Sequence, residues 1–412
     1  MRLRLLSIGP LALLVALSAA CDDEPPSLDG DQIRTRCLDA AAEAPDSFIL
    51  GGSWSGGCDD RGRCEESLRI ESSCLTYQAL DAEGRVIQLN HAILTDFGVS
   101  EAKARAAALG PLDDLSPTLR AALRPELDDL PIPRPGPDDW LAQQRERGQT
   151  HAQYLRGGFN RPDERRRTIV VMPIGELDEG MPAIADLVDF VGRYFQLPAR
   201  AAPTLAVDQL TDLGVRSRSR RGGRRQYLSG DILARLKWRL PSDAYCLIAV
   251  TAVDLYPDAK WNFVFGEALL HERVGVHSFA RYDPAFYGQR GAADRPRTIL
   301  GRGLKVMAHE IGHMFSMLHC VHYHCLMNGT NHLAETDRAP LHLCPVCRRK
   351  LHSAVAYDPA KREAELAELC QRHGLSGPAE RYARRAATIA EVAAAVAAVN
   401  ELGLRPLRRS LP

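Results

Sequence analysis

The chain has 412 residues, enough for one large or two ordinary domains, and it is 45% hydrophobic and 25% charged, a globular composition. Its 52 basic side chains match 52 acidic ones, so the molecule has no net field to gather polyanions or anionic membranes. A nucleic-acid-binding role is therefore not expected, and only local basic patches remain.

At the amino terminus, Arg2 and Arg4 precede an apolar run from Leu5 to Leu17 that ends in Ser18-Ala19-Ala20-Cys21. The run is short for a membrane span and small residues precede the cut, so residues 1–20 read as a signal peptide. Two cuts compete. Cleavage before a lipidated Cys21 follows the bacterial lipoprotein pattern, although Leu17 stands one place too far from the cysteine; removal after Ala20 is the plainer version. The expected location is the bacterial periplasm or cell envelope, and in the first case membrane attachment through lipidated Cys21.

Residues 21–130 form a cysteine-containing region without a clear periodicity and of unknown role. Its Cys37, Cys58, Cys64 and Cys74 are an even set in an oxidising compartment, which points to two disulfides of open pairing, with zinc as the alternative. Of the 11 cysteines, Cys246 and Cys370 sit in apolar or helical contexts and read as buried, inert thiols.

Pro131 to Pro137 repeats the X-Pro step and excludes helix, so residues 131–165 read as a linker and extension with a polar helix around Asp139 to Tyr154. From Thr168 strands and helices alternate. Thr168 to Ile174 is a β-branched apolar run, and Ile184, Leu187, Val188, Val191 and Phe195 recur at helical spacing. A weaker strand pattern covers Thr204 to Val207, and a helix Ser229 to Leu240. Tyr245 to Val253 reads as a central strand, and Asn262 to Gly266 and Val274 to Phe279 as two more. This order predicts an α+β domain over 166–355, a mixed twisted sheet with helices on its faces, followed by a helical tail over 356–412. The basic stretch Arg216 to Arg225 is interrupted by Gly and Ser and carries no aromatic residue, the pattern of a solvated loop.

The chemistry is concentrated in His309-Glu310-Ile311-Gly312-His313. The surrounding apolar periodicity is helical, and residues four apart share a helix face, so both imidazoles can reach one ion. Zinc in a catalytic site takes three protein ligands and leaves a fourth position open. Glu310 projects about 100° from its neighbour, beside the metal, where a carboxylate can act as a general base. His319 lies six residues past His313, so the helix must end between them for it to be the third ligand. Cys320 follows it directly, then Cys325, Met327 and the pair Cys344 and Cys347.

This combination resembles the archaemetzincins, a family of metzincin-clan zinc metalloproteases. Val171-Met-Pro-Ile-Gly175, Arg225-Gln-Tyr227, Thr251 to Tyr256, Asn262 to Gly266, Asp139-Trp-Leu141, Gly148-Gln-Thr150 and Arg349-Lys-Leu351 also look like family landmarks, so the resemblance covers about 139–375. It implies a metzincin-like zincin catalytic domain with an active-site helix. It further implies a structural zinc on Cys320, Cys325, Cys344 and Cys347 beside the catalytic one, and Met327 as the apolar floor of the site. An extended peptide or protein substrate would lie along the Val274 to Phe279 edge. Ser316 departs from the family pattern, since a glycine makes the turn there and a left-handed serine is strained by roughly 1–3 kcal/mol.

Rival readings concern the third ligand and the activity. Glu335, His322 and His324 compete with His319, while His271 and His277 are spaced too widely for the short motif and read as surface or core histidines. Export favours disulfides over thiolates for the late cysteines, whereas zinc captured during folding protects them. The expected function is peptide-bond hydrolysis with Glu310 as general base and acid; the alternative is a non-catalytic, surface-anchored zinc-binding interaction protein. Substrate, internal or terminal cleavage, and oligomeric state are left open by the sequence.

Overall fold

The computed structural model describes residues 52–54, 66–71, 74–80, 86–93, 99–125, 129–220, 224–289 and 294–401. The expected signal peptide and Cys21, Cys37, Cys58 and Cys64 lie outside the described residues, as does the side chain of Cys74. The chain divides into two compact units, Met1–Ala106 and Ala107–Pro412. In the first, strands β1 (Gly52–Trp54), β2 (Glu66–Glu71), β3 (Cys74–Leu80) and β4 (Val86–Ile93) pair antiparallel in sequence order. The sequence shows no clear periodicity here, because short strands broken by Gly- and Cys-rich turns leave no long apolar period.

The second unit begins its regular alternation at β5 (Thr168–Ile174), followed by helix α1 (Ile184–Phe195), β6 (Ala199–Ala201), β7 (Ser217–Ser219) and β8 (Arg225–Leu228). Helix α2 (Ser229–Leu236), β9 (Ala244–Thr251), β10 (Asp254–Tyr256), β11 (Gly266–Leu269) and β12 (Val274–Ser278) come next. Helices α3 (Arg295–Met314), α4 (Pro345–Val355), α5 (Pro359–Arg372) and α6 (Ser376–Glu401) complete it. The main sheet has the order β11-β12-β9-β5-β6, with β11 antiparallel to β12 and the other pairs parallel. A smaller sheet runs β10-β8-β7. The architecture is thus mixed α/β on a mixed sheet.

Helices on both faces explain why β5 and β9 read as continuous apolar runs rather than alternating ones. Ile169, Val171, Ile248 and Val250 enter one core with residues of α1 and α3; Val170, Met172, Leu247 and Ala249 enter the other with Ile232, Leu233 and Leu236 of α2. The closing helices also bury apolar side chains, including Leu366, Leu369, Tyr382 and Ile389.

Four sequence expectations are corrected. No strand covers Thr204 to Val207: Leu205 makes only a bridge to Ile174, and Gln209 Oε1 accepts from Ala206 N at 2.9 Å, which starts a helix at Val207. The helix expected over Asp139 to Tyr154 is two, Trp140–Gln143 and His151–Arg156. Gly148 at φ +65° and a capping box at Thr150 make the break. The strand expected at Asn262 begins only at Gly266, where pairing with β12 starts. Finally, the edge of the sheet is β11, not Val274 to Phe279; β12 lies inside, between β9 and β11, with every residue buried.

Candidate metal centre and active site

Helix α3 carries Leu300, Leu304, Met307, Ile311 and Met314 into the core. This buried stripe fixes its rotation, so that His309 and His313 project together on another face. The helix then stops within one residue. Ser316 N bonds to His313 O at 2.7 Å and Met317 N to Gly312 O at 3.2 Å, the paired bonds of a Schellman termination. Ser316 occupies its left-handed position at φ +65°, so this chain accepts the strained conformation where a glycine was expected. The serine hydroxyl accepts from Asn160 N at 3.0 Å, a contact glycine has no atom to make. The remaining terminal carbonyls are also satisfied: Tyr154 Oη donates to Phe315 O at 2.8 Å and Tyr245 Oη to Met314 O at 2.9 Å.

Past this turn His319 comes back to the two helical histidines, and one nitrogen of each of the three rings lies within 4.8 Å of the others. His309 Nε2 and His313 Nε2 are 3.0 Å apart. Each ring is held through its other nitrogen. His309 Nδ1 meets Leu326 O at 2.9 Å, His313 Nδ1 meets Met317 O at 2.7 Å, and His319 Nδ1 meets Glu146 Oε1 at 2.7 Å. Those acceptors fix the proton on Nδ1 and leave three Nε2 lone pairs converging. Burial, then the neighbouring imidazoles, push His309 well below the ordinary histidine range and His313 down to about 4. Neutral at pH 7, the facing Nε2 lone pairs of His309 and His313 repel unless a cation lies between them. Three imidazole nitrogens suit zinc, so the residues present fit that ion.

Glu310 is 7% exposed and opens on a cavity of about 550 Å³ shared with all three histidines, Gly266 and Lys305. Burial first, and then the charge of Glu267, push its carboxyl up to about 8. A Cβ on Gly266 would sit 2.7 Å from Glu310 Oε1, which explains the bare strand position opposite the helix. Met327 is fully buried, and a Cβ on Gly312 would meet its sulfur at 2.5 Å. It therefore packs directly against the helix beside His313.

Cys320, Cys325, Cys344 and Cys347 form a second group, all buried, with their sulfurs within 4.8 Å of one another. Cys320 Sγ and Cys344 Sγ are 3.7 Å apart, too far for a disulfide. Backbone N–H groups of Cys344 and Met327 point at Cys325 Sγ, at 3.2 and 3.5 Å. Hydrogen bonds from the other three thiols pull Cys320 well down, while burial drives Cys325 and Cys344 well up. Without a cation the group cannot ionise fully. Four thiolates in this arrangement suit a closed tetrahedral zinc site.

Glu335 lies elsewhere. Its carboxylate accepts from Trp140 N at 3.0 Å and from Asn331 N at 2.6 Å, in a group with Asp139 and His332 whose polar atoms already hold one another. Neither His322 nor His324 joins a donor group among the described residues. Sequence reasoning missed Glu146, which the break between the two short helices delivers to His319. It stands between two family landmarks, but no spacing distinguishes it from its polar neighbours.

The model of Peptidase family M54 matches residues 242–353. Archaemetzincin-2 of Macaca fascicularis is 33% identical over 258 residues, covering 56% of this chain and 72% of that protein. The archaemetzincin of Thermococcus kodakarensis is 34% identical over 186 residues, covering 45% of this chain and 95% of its own length. This chain belongs to the archaemetzincin family. It is accordingly a zinc metallopeptidase. A solved zinc-dependent peptidase from Methanocorpusculum labreanum is 25% identical, with 44% of this chain and 99% of that one covered and a TM-score of 0.37. The matches of this archaemetzincin to its relatives leave a large part of the chain uncovered.

Proposed function

We propose that this archaemetzincin cleaves peptide bonds at the site formed by His309, His313, His319 and Glu310, in a metzincin-like catalytic domain. The observation that carries the reading is the joint arrangement: three imidazoles with their outer nitrogens anchored, and an unanchored carboxyl beside them on an open cavity. His309, His313 and His319 would hold the zinc, which when bound would supply Lewis acidity toward the scissile carbonyl and water. Glu310 takes the proton from the attacking water and hands it to the leaving amine. A carboxyl raised by burial is suited to holding that proton between the two transfers.

Substrate binding falls to the open edge of β11. Ser278 N bonds to Phe265 O at 2.9 Å, so alternate residues from 265 face β12 and the backbone groups of Gly266 and Ala268 face outward. An extended peptide can add to that edge as a further strand. Met327 acts as the apolar floor, and the four late cysteines hold a second, structural zinc. The non-catalytic alternative is not favoured, since a purely structural site has no use for Glu310. We further propose export to the bacterial periplasm or cell envelope, with Cys21 as a lipidation point; fractionation with mass analysis of the mature amino terminus tests it.

Glu310→Gln decides the central claim. It should keep zinc by metal analysis and lose hydrolysis of a random peptide library by roughly 10²–10⁴-fold. Undiminished hydrolysis in that variant would overturn the mechanism.

A further inference from the structure

His277 is fully buried on β12, and neither of its ring nitrogens has a hydrogen-bond partner; the hydroxyl of the equally buried Tyr282 has none either. Buried polar groups are rarely left so, because each has given up its water without replacement. The surroundings of His277 show what the pair faces. Alternate residues of β12 share a face. Gly275 packs against Met314 Cε, 3.2 Å from where its Cβ would stand, and Phe279 packs against Gly303. His277 lies between them on that face and is therefore directed at the part of α3 between Gly303 and Met314, which carries Glu310. A second observation agrees. Gly266 is the cross-strand partner of His277 in a pair that makes no ladder bonds, where Cβ positions are roughly 4.5–5.5 Å apart. Glu310 fills the space over Gly266, with Oε1 2.7 Å from the missing Cβ. Burial, with Glu310's charge second, raises the Tyr282 phenol, which places that hydroxyl within electrostatic reach of the same carboxylate. Glu267, the next residue of β11, points to the opposite face, where its carboxylate accepts from Ser229 Oγ at 2.5 Å.

We propose that His277 is a positioning residue for Glu310: a ring N–H donates, through an internal water also met by the Tyr282 hydroxyl, to the carboxylate from the side away from the cavity. The inference rests on Glu310 being the general base. His277 stays neutral throughout and exchanges no proton. Its role is to hold one carboxylate oxygen so that the other faces the reacting water. The site has the partners such a water needs: one ring nitrogen of His277, the Tyr282 hydroxyl and the Glu310 carboxylate.

The test uses the full-length, zinc-loaded protein with its histidines labelled with ¹⁵N. The His277 ring N–H should be protected from exchange, and its ¹⁵N shifts should move in Glu310→Gln and in Tyr282→Phe. With a peptide taken from the wild-type library digest, His277→Phe should lower kcat by about tenfold at unchanged KM and zinc content, as expected of a misaligned base. His277→Gln, which keeps an N–H, should recover most of that loss. An N–H that served only as core filling predicts the reverse: His277→Phe melts higher and turns over normally. Unchanged kcat in His277→Phe, or ring shifts indifferent to Glu310→Gln, overturns the proposal. If His277→Phe does not fold, the shifts and His277→Gln still decide. An active Glu310→Gln would instead sink the peptidase mechanism itself, and is read separately.

Discussion

The histidine and cysteine donor groups of this archaemetzincin meet at one peptide bond, between His319 and Cys320, yet their surroundings differ in kind. The histidines are partly exposed and border a cavity of about 550 Å³, with Glu310 beside them. The cysteines are wholly buried, and their sulfurs meet one another and backbone N–H groups. One ligand set can admit water and substrate, and the other can only hold. Under the proposed reading, access and the neighbouring acid–base group, rather than the metal, divide catalysis from structure.

The largest effect expected on this comparison comes from the closed group. Metal binding at such a site is folding free energy, so Cys344→Ser should lower Tm by roughly 10–20 °C, or prevent soluble expression. A circular-dichroism melt reads it; a wild-type Tm would mean that the cysteines hold no structural ion. Graded chelation should sharpen the contrast. One zinc and all hydrolysis should be lost first with Tm little changed, and the second zinc should leave only with unfolding. Simultaneous loss of both ions would dissolve the distinction.

Protonation offers a finer measure. In the metal-free protein Glu310 titrates near 8, above the ordinary carboxyl value, so at pH 7 the folded state holds its proton. The sign follows: the folded protein binds more protons than the unfolded chain between about 4.5 and 8, and this group's contribution to stability falls as pH rises through that window. A dication beside the carboxyl reverses the preference. Zinc uptake by the histidine group at pH 7, with the cysteine site kept loaded, should therefore release about one proton more in wild type than in Glu310→Gln. Calorimetry in buffers of different ionisation enthalpy measures the difference, and equal release would show that Glu310 does not sense the ion.

Two smaller effects concern the supports. Glu146→Gln removes the charge that orients His319 and should weaken zinc binding by about 10–100-fold while the cysteine site keeps its ion. Unchanged affinity would reduce Glu146 to a surface contact. At the turn, Ser316→Ala keeps the strained φ and loses the bond from Asn160 N, so it should cost about 1 kcal/mol in urea denaturation. Ser316→Gly relieves the strain while losing the same bond, and should lie near wild type.

The sequence by itself determined what is local. The helical spacing of His309 and His313, the adjacent Glu310, the apolar runs of β5 and β9 and the paired cysteine spacings all act over a few residues, where one element sets the geometry. Tertiary structure decided what depends on partners far along the chain. Glu146 reaches His319 across 173 residues, and nothing local marks it. The edge of the sheet passed from β12 to β11 because an edge is defined by which neighbour is missing, which no strand carries in its own composition. Ser316 could be read as strained, but only the fold shows Asn160 arriving to bond its hydroxyl. Periodicity reports the face a residue takes within its own element; what waits on that face is settled when distant elements pack.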